Sequence, residues 1–426
     1  MGDTTIGVLG ATGFTGRLVC QALERRGIRW IGGARNPARP ILSSEVADSR
    51  QEGMRSPHAL CNSRSEILAA DVHDSASIFR LLRRSDLLIN CVGPYAELGL
   101  PVVKAALEAR VPVFDLSGEQ EYVRRCAAFD AQARRAGIVI GNSMGVEVAL
   151  SDCAAALAAS GLCQVDEVHV AGAAKDFRTS PATRSSALGA IWGEGFTREG
   201  GCYRPAAVAH RIRQFALGTP FGTSLCAWYP GVECYTIPRH LSVPTVATYI
   251  RVPDWSPAML KLAGRLAAVP HRLGVSPHSV GLLAAPLRLA RNAAGLLGGA
   301  PGPSRPARFE IRVDVLGRTE VQLPTAGRRG DQTSQPCSSS AQRSVSVTGL
   351  DPYGLSAEIL VLTAMRLLSS GPAVGRGGIL SPSQVVPAEW LFSQLELLDD
   401  YDFGWRLTAP WSQESSPPPS PASSAR

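Results

Sequence analysis

The first sixteen residues constrain this chain most. An apolar run, Thr5 to Leu9, leads straight into Gly10-Ala11-Thr12-Gly13-Phe14-Thr15-Gly16, and a helical pattern follows from Arg17 to Arg26. The glycine spacing alone discriminates little, because 42 of the 426 residues are glycine. Its setting between a strand and a helix carries the weight. Glycine allows a tight turn and close approach of a pyrophosphate, while the open N–H groups and dipole at a helix start favour negative charge. The segment therefore reads as a dinucleotide-binding turn, with Gly10, Thr12, Gly13, Phe14, Thr15 and Gly16 on the cofactor. A plain strand-to-helix turn is the alternative.

The next strand, Arg29 to Ala34, should end beside the adenosine ribose, where the chain reads Gly33-Ala34-Arg35-Asn36-Pro37-Ala38-Arg39. No carboxylate stands there to accept ribose hydroxyls, whereas Arg35 can pair with a 2′-phosphate, so NADP(H) is the expected cofactor. Arg39 either reinforces that pairing or sits in solvent. A third strand, Ile67 to Asp71, places Asp71 at the adenine edge or in a helix-capping turn. A fourth, Asp86 to Val92, breaks at Asn90-Cys91-Val92-Gly93-Pro94-Tyr95, which puts Asn90, Gly93 and Pro94 beside the nicotinamide ribose. The alternation continues through helix Pro101 to Ala109, strand Pro112 to Leu116, helix Glu121 to Ala136 and strand Ile138 to Asn142. This is the pattern of an α/β, doubly wound parallel sheet of Rossmann type over residues 1–150.

Beyond residue 150 the pattern changes. Glu167 to Ala173, Cys234 to His240, Thr245 to Val252, Phe309 to Leu316 and Ser344 to Gly349 read as strands of a second α+β domain, 151–354, with a mixed or antiparallel sheet. That domain is expected to hold substrate and to form a homodimer. It carries a helical insert, 257–297, and a polar loop, 325–342. Residues 355–412 read as helices returning to the first domain, and 413–426 as a Ser/Pro-rich disordered tail.

Composition excludes several functions. The net charge of +7 is spread without a Lys/Arg block, so no nucleic-acid partner is expected. Ten cysteines at irregular spacing, with no CxxC pair, imply reduced thiols, a cytoplasmic location and no metal site. The start lacks a signal-peptide pattern. In Leu273 to Ala300, Pro277, Pro286, Arg288 and Arg291 interrupt the apolar run before it reaches the roughly 20 residues of a spanning helix, leaving core packing or surface contact with a membrane. No GxSxG elbow and no Walker lysine occur, which disfavours hydrolase and ATPase chemistry.

The catalytic candidates are fewer. Tyr95 stands beside the nicotinamide as a proton donor or a packing ring. Glu119, after Ser117-Gly118, binds ribose or substrate or else serves as a helix-start carboxylate. Lys175 and Arg178, before the hydroxyl-rich run Thr179 to Ser186, suit a carboxylate, thioester or phosphate, or form a solvated, N-capped helix start.

Taken together, Gly10 to Gly16, Asn90 to Tyr95 and Asp115-Leu116-Ser117-Gly118-Glu119 resemble the saccharopine dehydrogenase-like oxidoreductases. Gly349 to Glu358 and Gly378 to Pro382 are similar to the C-terminal part of that family, including its trans-acting enoyl reductase branch. The resemblance runs from about Thr5 to about Leu407, departing from the family at Leu150-Ser151-Asp152 and in the polar segment Thr325 to Gln342. It implies NADPH-dependent reduction of a carbon–carbon double bond in an acyl, lipid or polyketide-type substrate. The namesake activity, amino-acid or imine dehydrogenation at a C–N bond, is one alternative. A non-catalytic, nucleotide-binding, membrane-associated protein is the other.

Overall fold

The computed structural model describes residues 4–38, 65–177, 195–252, 306–320, 338–370 and 377–408. The helical insert, the Thr179 to Ser186 run, Arg39, Arg178, the apolar stretch 273–300 and the tail lie outside them.

Apolar strands that need cover on both faces build the first sheet. They are β1 (Thr5–Leu9), β2 (Arg29–Ala34), β3 (Ser65–Ala69), β4 (Leu87–Asn90), β5 (Val113–Asp115) and β6 (Val139–Gly141). All of β1 and β4 is buried, as a central parallel strand requires. Between them run α1 (Phe14–Arg25), α2 (Ser75–Leu82), α3 (Tyr95–Ala109), α4 (Gln120–Cys126) and α5 (Asp130–Ala136). The strand order is β3-β2-β1-β4-β5-β6, all parallel, with the chain reversing direction of growth between β1 and β4. That switch opens a crevice at the carboxyl ends of the strands.

After α6 (Val146–Ala159), the chain forms a nine-stranded mixed sheet from β7 (Gln164–Lys175), β8 (Gly195–Glu199), β9 (Cys202–Ala206), β10 (Ile212–Ala216), β11 (Thr223–Trp228), β12 (Thr245–Arg251), β13 (Arg308–Glu320), β14 (Ser338–Leu350) and, from the C-terminal segment, β16 (Gly404–Thr408). Its main path runs β10-β11-β12-β7-β13-β14-β16, with only β12 and β7 parallel along it. The apolar faces of β13 and β14, including Ile311, Val313, Val315, Val345 and Val347, share one core with Leu150, Cys153 and Leu157 of α6. A short helix, α7 (Glu233–Thr236), lies between β11 and β12.

The C-terminal segment then returns. Helix α8 (Pro352–Ser369) lays Ala357, Leu360, Val361 and Ala364 against Val19, Ala22 and Leu23 of α1. Glu358, almost fully buried, pairs there with Arg25 and, at 2.6 Å, with Arg26. Strand β15 (Gly378–Leu380) adds to β6 in parallel as the seventh strand of the first sheet. Helices α9 (Pro382–Val385) and α10 (Ala388–Glu396) and strand β16 (Gly404–Thr408) finish the described chain.

Four sequence expectations need correction. Cys234 to His240 is helical: Tyr235 and Thr236 both donate to Val232 O, and Pro238, which has no N–H for a ladder, opens a 3₁₀ turn. The helix expected over Glu121 to Ala136 is two helices joined by a 3₁₀ turn at Ala127–Phe129. Helix α3 begins six residues before Pro101, whose exposed position tolerates the lost backbone bond. The polar loop does not extend to Gln342, since Ser338 to Gln342 already pair with Glu320 to Leu316 as the outer end of the β13–β14 hairpin.

Candidate active site

The glycine loop is built by close backbone approach. Gly10 has φ +85°, and the N–H groups of Gly10 and Ala11 both donate to Gly33 O, at 2.8 and 3.2 Å. A Cβ on Gly10 would meet Val92 Cγ2 at 2.8 Å, and one on Gly16 would fall 2.1 Å from Gly10 O. Helix α1 starts at Phe14 with Gly13 as its N-cap, no capping side chain and no acidic residue in its first turn. A helix start left without an intramolecular acceptor, at the carboxyl edge of a parallel sheet, fits a pyrophosphate. Thr12 and Thr15 are half-buried beside the exposed Gly13.

The remaining cofactor candidates fall along the same edge. Arg35 is exposed one residue past β2. Asp71 is half-buried, and its Oδ1 accepts from the His73 N–H at 3.0 Å, so part of its work is to hold the turn before α2. Asn90 is buried at the end of β4; its Oδ1 accepts from the Val92 N–H at 3.0 Å while its Nδ2 has no partner among the described residues. An orphaned amide donor at this point suits a polar cofactor group, because burying it unmatched costs about 1–3 kcal/mol. Gly93 and Pro94 follow, both half-buried, and lead into α3.

The three catalytic candidates are placed differently from one another. The Tyr95 hydroxyl is buried and donates to Asn90 O at 2.9 Å, and burial pushes its pKa up. The Glu119 carboxylate accepts the N–H groups of Tyr95 and Ala96, at 3.0 and 2.8 Å, and so caps α3. Both are engaged in holding the β4–α3 turn. Lys175 is exposed at the end of β7, two residues before Phe177. Phe177 stacks on Tyr353 with ring centroids 5.4 Å apart, and Tyr353 meets Phe14 of the glycine loop edge-on at 5.1 Å. This aromatic column brings the end of β7 to the mouth of the cofactor crevice.

Sequence reading misses the groups with the most acid–base potential. Asp115, fully buried at the end of β5, accepts from the N–H groups of Ser117 and Ser143 (3.0 and 2.9 Å), Tyr122 Oη (2.8 Å) and Asn142 Nδ2 (2.8 Å). It thereby ties the ends of β5 and β6 together. From this knot the chain passes Gly145, packed on Leu116, into α6, whose first turn carries Glu147. Tyr229 Oη donates to Glu147 Oε1 at 2.5 Å, and Glu147 is open to solvent. Behind it Glu233, fully buried, accepts from Ser151 Oγ at 3.1 Å and leaves Oε2 without a partner among the described residues. Burial, and then repulsion from Glu147, push the Glu233 pKa up to about 8. Burial, and then the Glu147 and Glu233 carboxylates, also raise Tyr229. Tyr229 and Glu147 form a hydrogen-bonded pair, and Glu233 behind them retains its proton at neutral pH, which is what a proton donor needs. One clue was legible: Glu233 interrupts the apolar run Pro230-Gly231-Val232-Glu233-Cys234.

The raised pKa has a measurable effect on stability. Between the ordinary glutamate value and about 8, folded Glu233 keeps a proton that the unfolded chain releases. Protein stability therefore falls as pH rises through that window. Urea midpoints at pH 5 and pH 8 should show a smaller loss for Glu233→Gln than for wild type, by on the order of 1 kcal/mol or more. Identical losses would mean that Glu233 ionises normally.

Residues 6–140 match the family model for the saccharopine dehydrogenase NADP-binding domain. A saccharopine dehydrogenase-like oxidoreductase of Mus musculus is 29% identical over 146 residues, 33% of this chain and 34% of that protein. A protein of Mycobacterium tuberculosis named as a putative trans-acting enoyl reductase is 31% identical over 146 residues, covering 34% of this chain and 32% of that protein. The matched region thus spans about a third of these relatives' length. The solved saccharopine dehydrogenase (L-Glu forming) of Saccharomyces cerevisiae matches 95% of this chain and 100% of its own with a TM-score of 0.57 at 13% identity, a likeness of fold.

Proposed function

We propose that this chain, whose NADP-binding domain is of the saccharopine dehydrogenase family, is an NADPH-dependent reductase of a carbon–carbon double bond conjugated to a carbonyl in an acyl, lipid or polyketide-type substrate. The observation that carries this reading is the Glu147–Tyr229–Glu233 cluster beyond the carboxyl ends of β5 and β6, on the nicotinamide side of the β1/β4 switch. Saturating such a bond takes a hydride and a proton. Bound NADPH supplies the hydride.

The protein's part is to hold the cofactor and deliver the proton. The glycine loop and the start of α1 would hold the pyrophosphate, Arg35 would pair with the 2′-phosphate, and Asn90 Nδ2 would donate to the nicotinamide half. Tyr229 Oη stands in contact with Glu147 and gives its proton to the α-carbon as charge builds on the substrate. Glu147 and the protonated Glu233 restore it. Lys175, at the crevice mouth, meets the substrate's carbonyl or acidic end. The enoyl reductase resemblance of the first domain supports this choice of bond.

The cluster also suits the namesake chemistry, because two carboxylates can stabilise a protonated imine. Monitoring NADPH oxidation with a conjugated enoyl thioester, and separately with an oxo acid plus an amino acid, distinguishes the two. Turnover of the thioester is expected. Consumption only with the carbonyl and amine would assign C–N chemistry, and tight NADPH binding with neither reaction would point to the non-catalytic reading.

A further inference from the structure

On the far side of α7 from the acid cluster lies a second cavity, of ≈ 580 Å³, walled by α4, β8, β9 and the turn after α7. Glu233 and Tyr235 are two residues apart on one helical turn and so face opposite ways: Glu233 toward Ser151, Tyr235 into this cavity. Its size is that of a small-molecule site.

Its lining is chemically specific. Tyr203 and Tyr235 stack with centroids 4.5 Å apart and planes 15° from parallel, and Tyr203 remains 42% exposed. The Arg198 guanidinium lies over the Tyr203 ring at 5.3 Å, with its Nε held by Val243 O at 3.0 Å. Arg124 is neutralised by Glu121, to which it donates through Nε at 3.0 Å and Nη2 at 2.8 Å. Arg239 is the exception. Among the described residues it forms no ion pair, and its buried Nη1 has no hydrogen-bond partner. Asp152, the carboxylate with the largest pull on it, is already taken by His240 Nε2 at 3.1 Å and the Ser383 N–H at 2.9 Å. A guanidinium cannot shed its charge under ordinary conditions, so one buried at the wall of a cavity without a paired carboxylate is a standing cost that an anion drawn to that wall would reduce.

We infer that this cavity is a binding site for a carboxylate joined to a flat, conjugated or aromatic group. The carboxylate meets Arg239 and the flat body lies along the Tyr203–Tyr235 pair under Arg198. The site is separate from the reductase crevice and does not depend on which bond that crevice reduces.

Calorimetric titration of the full chain, saturated with NADPH, with trans-cinnamate, trans-cinnamyl alcohol and phenyl phosphate tests this. Cinnamate should bind saturably at one site and the alcohol should not. Arg239→Gln and Tyr203→Ala should each weaken cinnamate at least tenfold with NADPH affinity unchanged, and Lys104→Gln, on a distant surface, should have no effect. If Arg239→Gln does not fold, the exposed Tyr203→Ala decides. Absence of binding, binding indifferent to these variants, tighter binding of phenyl phosphate, or loss of cinnamate binding in Glu147→Gln would each overturn the proposal. The last result would place the ligand in the reductase crevice instead.

Discussion

Replacing Glu147 by Gln should lower kcat by roughly 10²–10⁴-fold, the usual worth of a positioned general acid, while leaving NADPH affinity unchanged. Tyr229→Phe should do the same, because the two groups form one hydrogen-bonded unit. The double variant should be little worse than either alone, since residues acting as a unit are strongly non-additive. Steady-state rates across pH sharpen the test. Wild-type activity should fall as pH rises toward and beyond 8, as the proton store at Glu233 empties. If Glu147→Gln changes KM and not kcat, the cluster binds substrate and does not deliver the proton.

Arg35→Ala should weaken NADPH by about 1.5–3 kcal/mol, roughly ten- to 150-fold, the range for a hydrogen bond to a charged group. NADH, lacking the 2′-phosphate, should bind the variant as well as it binds wild type. The effect should shrink with added salt, since Arg35 is exposed and screening weakens its attraction. Fluorescence titrations of both cofactors at two ionic strengths read all of this. Equal losses for NADPH and NADH would sink the role assigned to Arg35.

The first domain was legible because each strand is a short apolar run and each turn is punctuated by glycine or a polar residue. β1 and β2 fall where the pattern puts them, to the residue. Local pattern failed where partners far away in sequence decide the outcome. Cys234 to His240 is apolar enough for a strand, yet Pro238 denies it a ladder. Strands β8 to β11 and β15 are too short or too polar to announce themselves. The site shows the same division. Gly10, Gly16 and Arg35 act through backbone geometry or position after a strand, which sequence shows directly. Tyr95 and Glu119 have the right chemistry at the right turn, but the hydrogen bonds that occupy them are visible only in three dimensions. Glu147, Tyr229 and Glu233 are scattered over 87 residues, and only the packing of α6, the β11–β12 connection and α7 brings them together.

The return of β15 to the edge of β6 also governs the order in which the molecule can assemble. As the chain emerges from its N-terminus, six strands of the cofactor sheet are made within the first 141 residues, but the strand that closes the β6 edge comes at residue 378. Until then that edge has no neighbour, and Val19 and Leu23 of α1 have no α8 to cover them. The nucleotide-binding half therefore begins before the mixed sheet and is completed only after eight of that sheet's nine strands have been made. Such long-range closure is slow and leaves sticky intermediates. A cofactor that grips the glycine loop early would steady the unfinished sheet during that interval, giving NADPH a part in the protein's own maturation as well as in its chemistry.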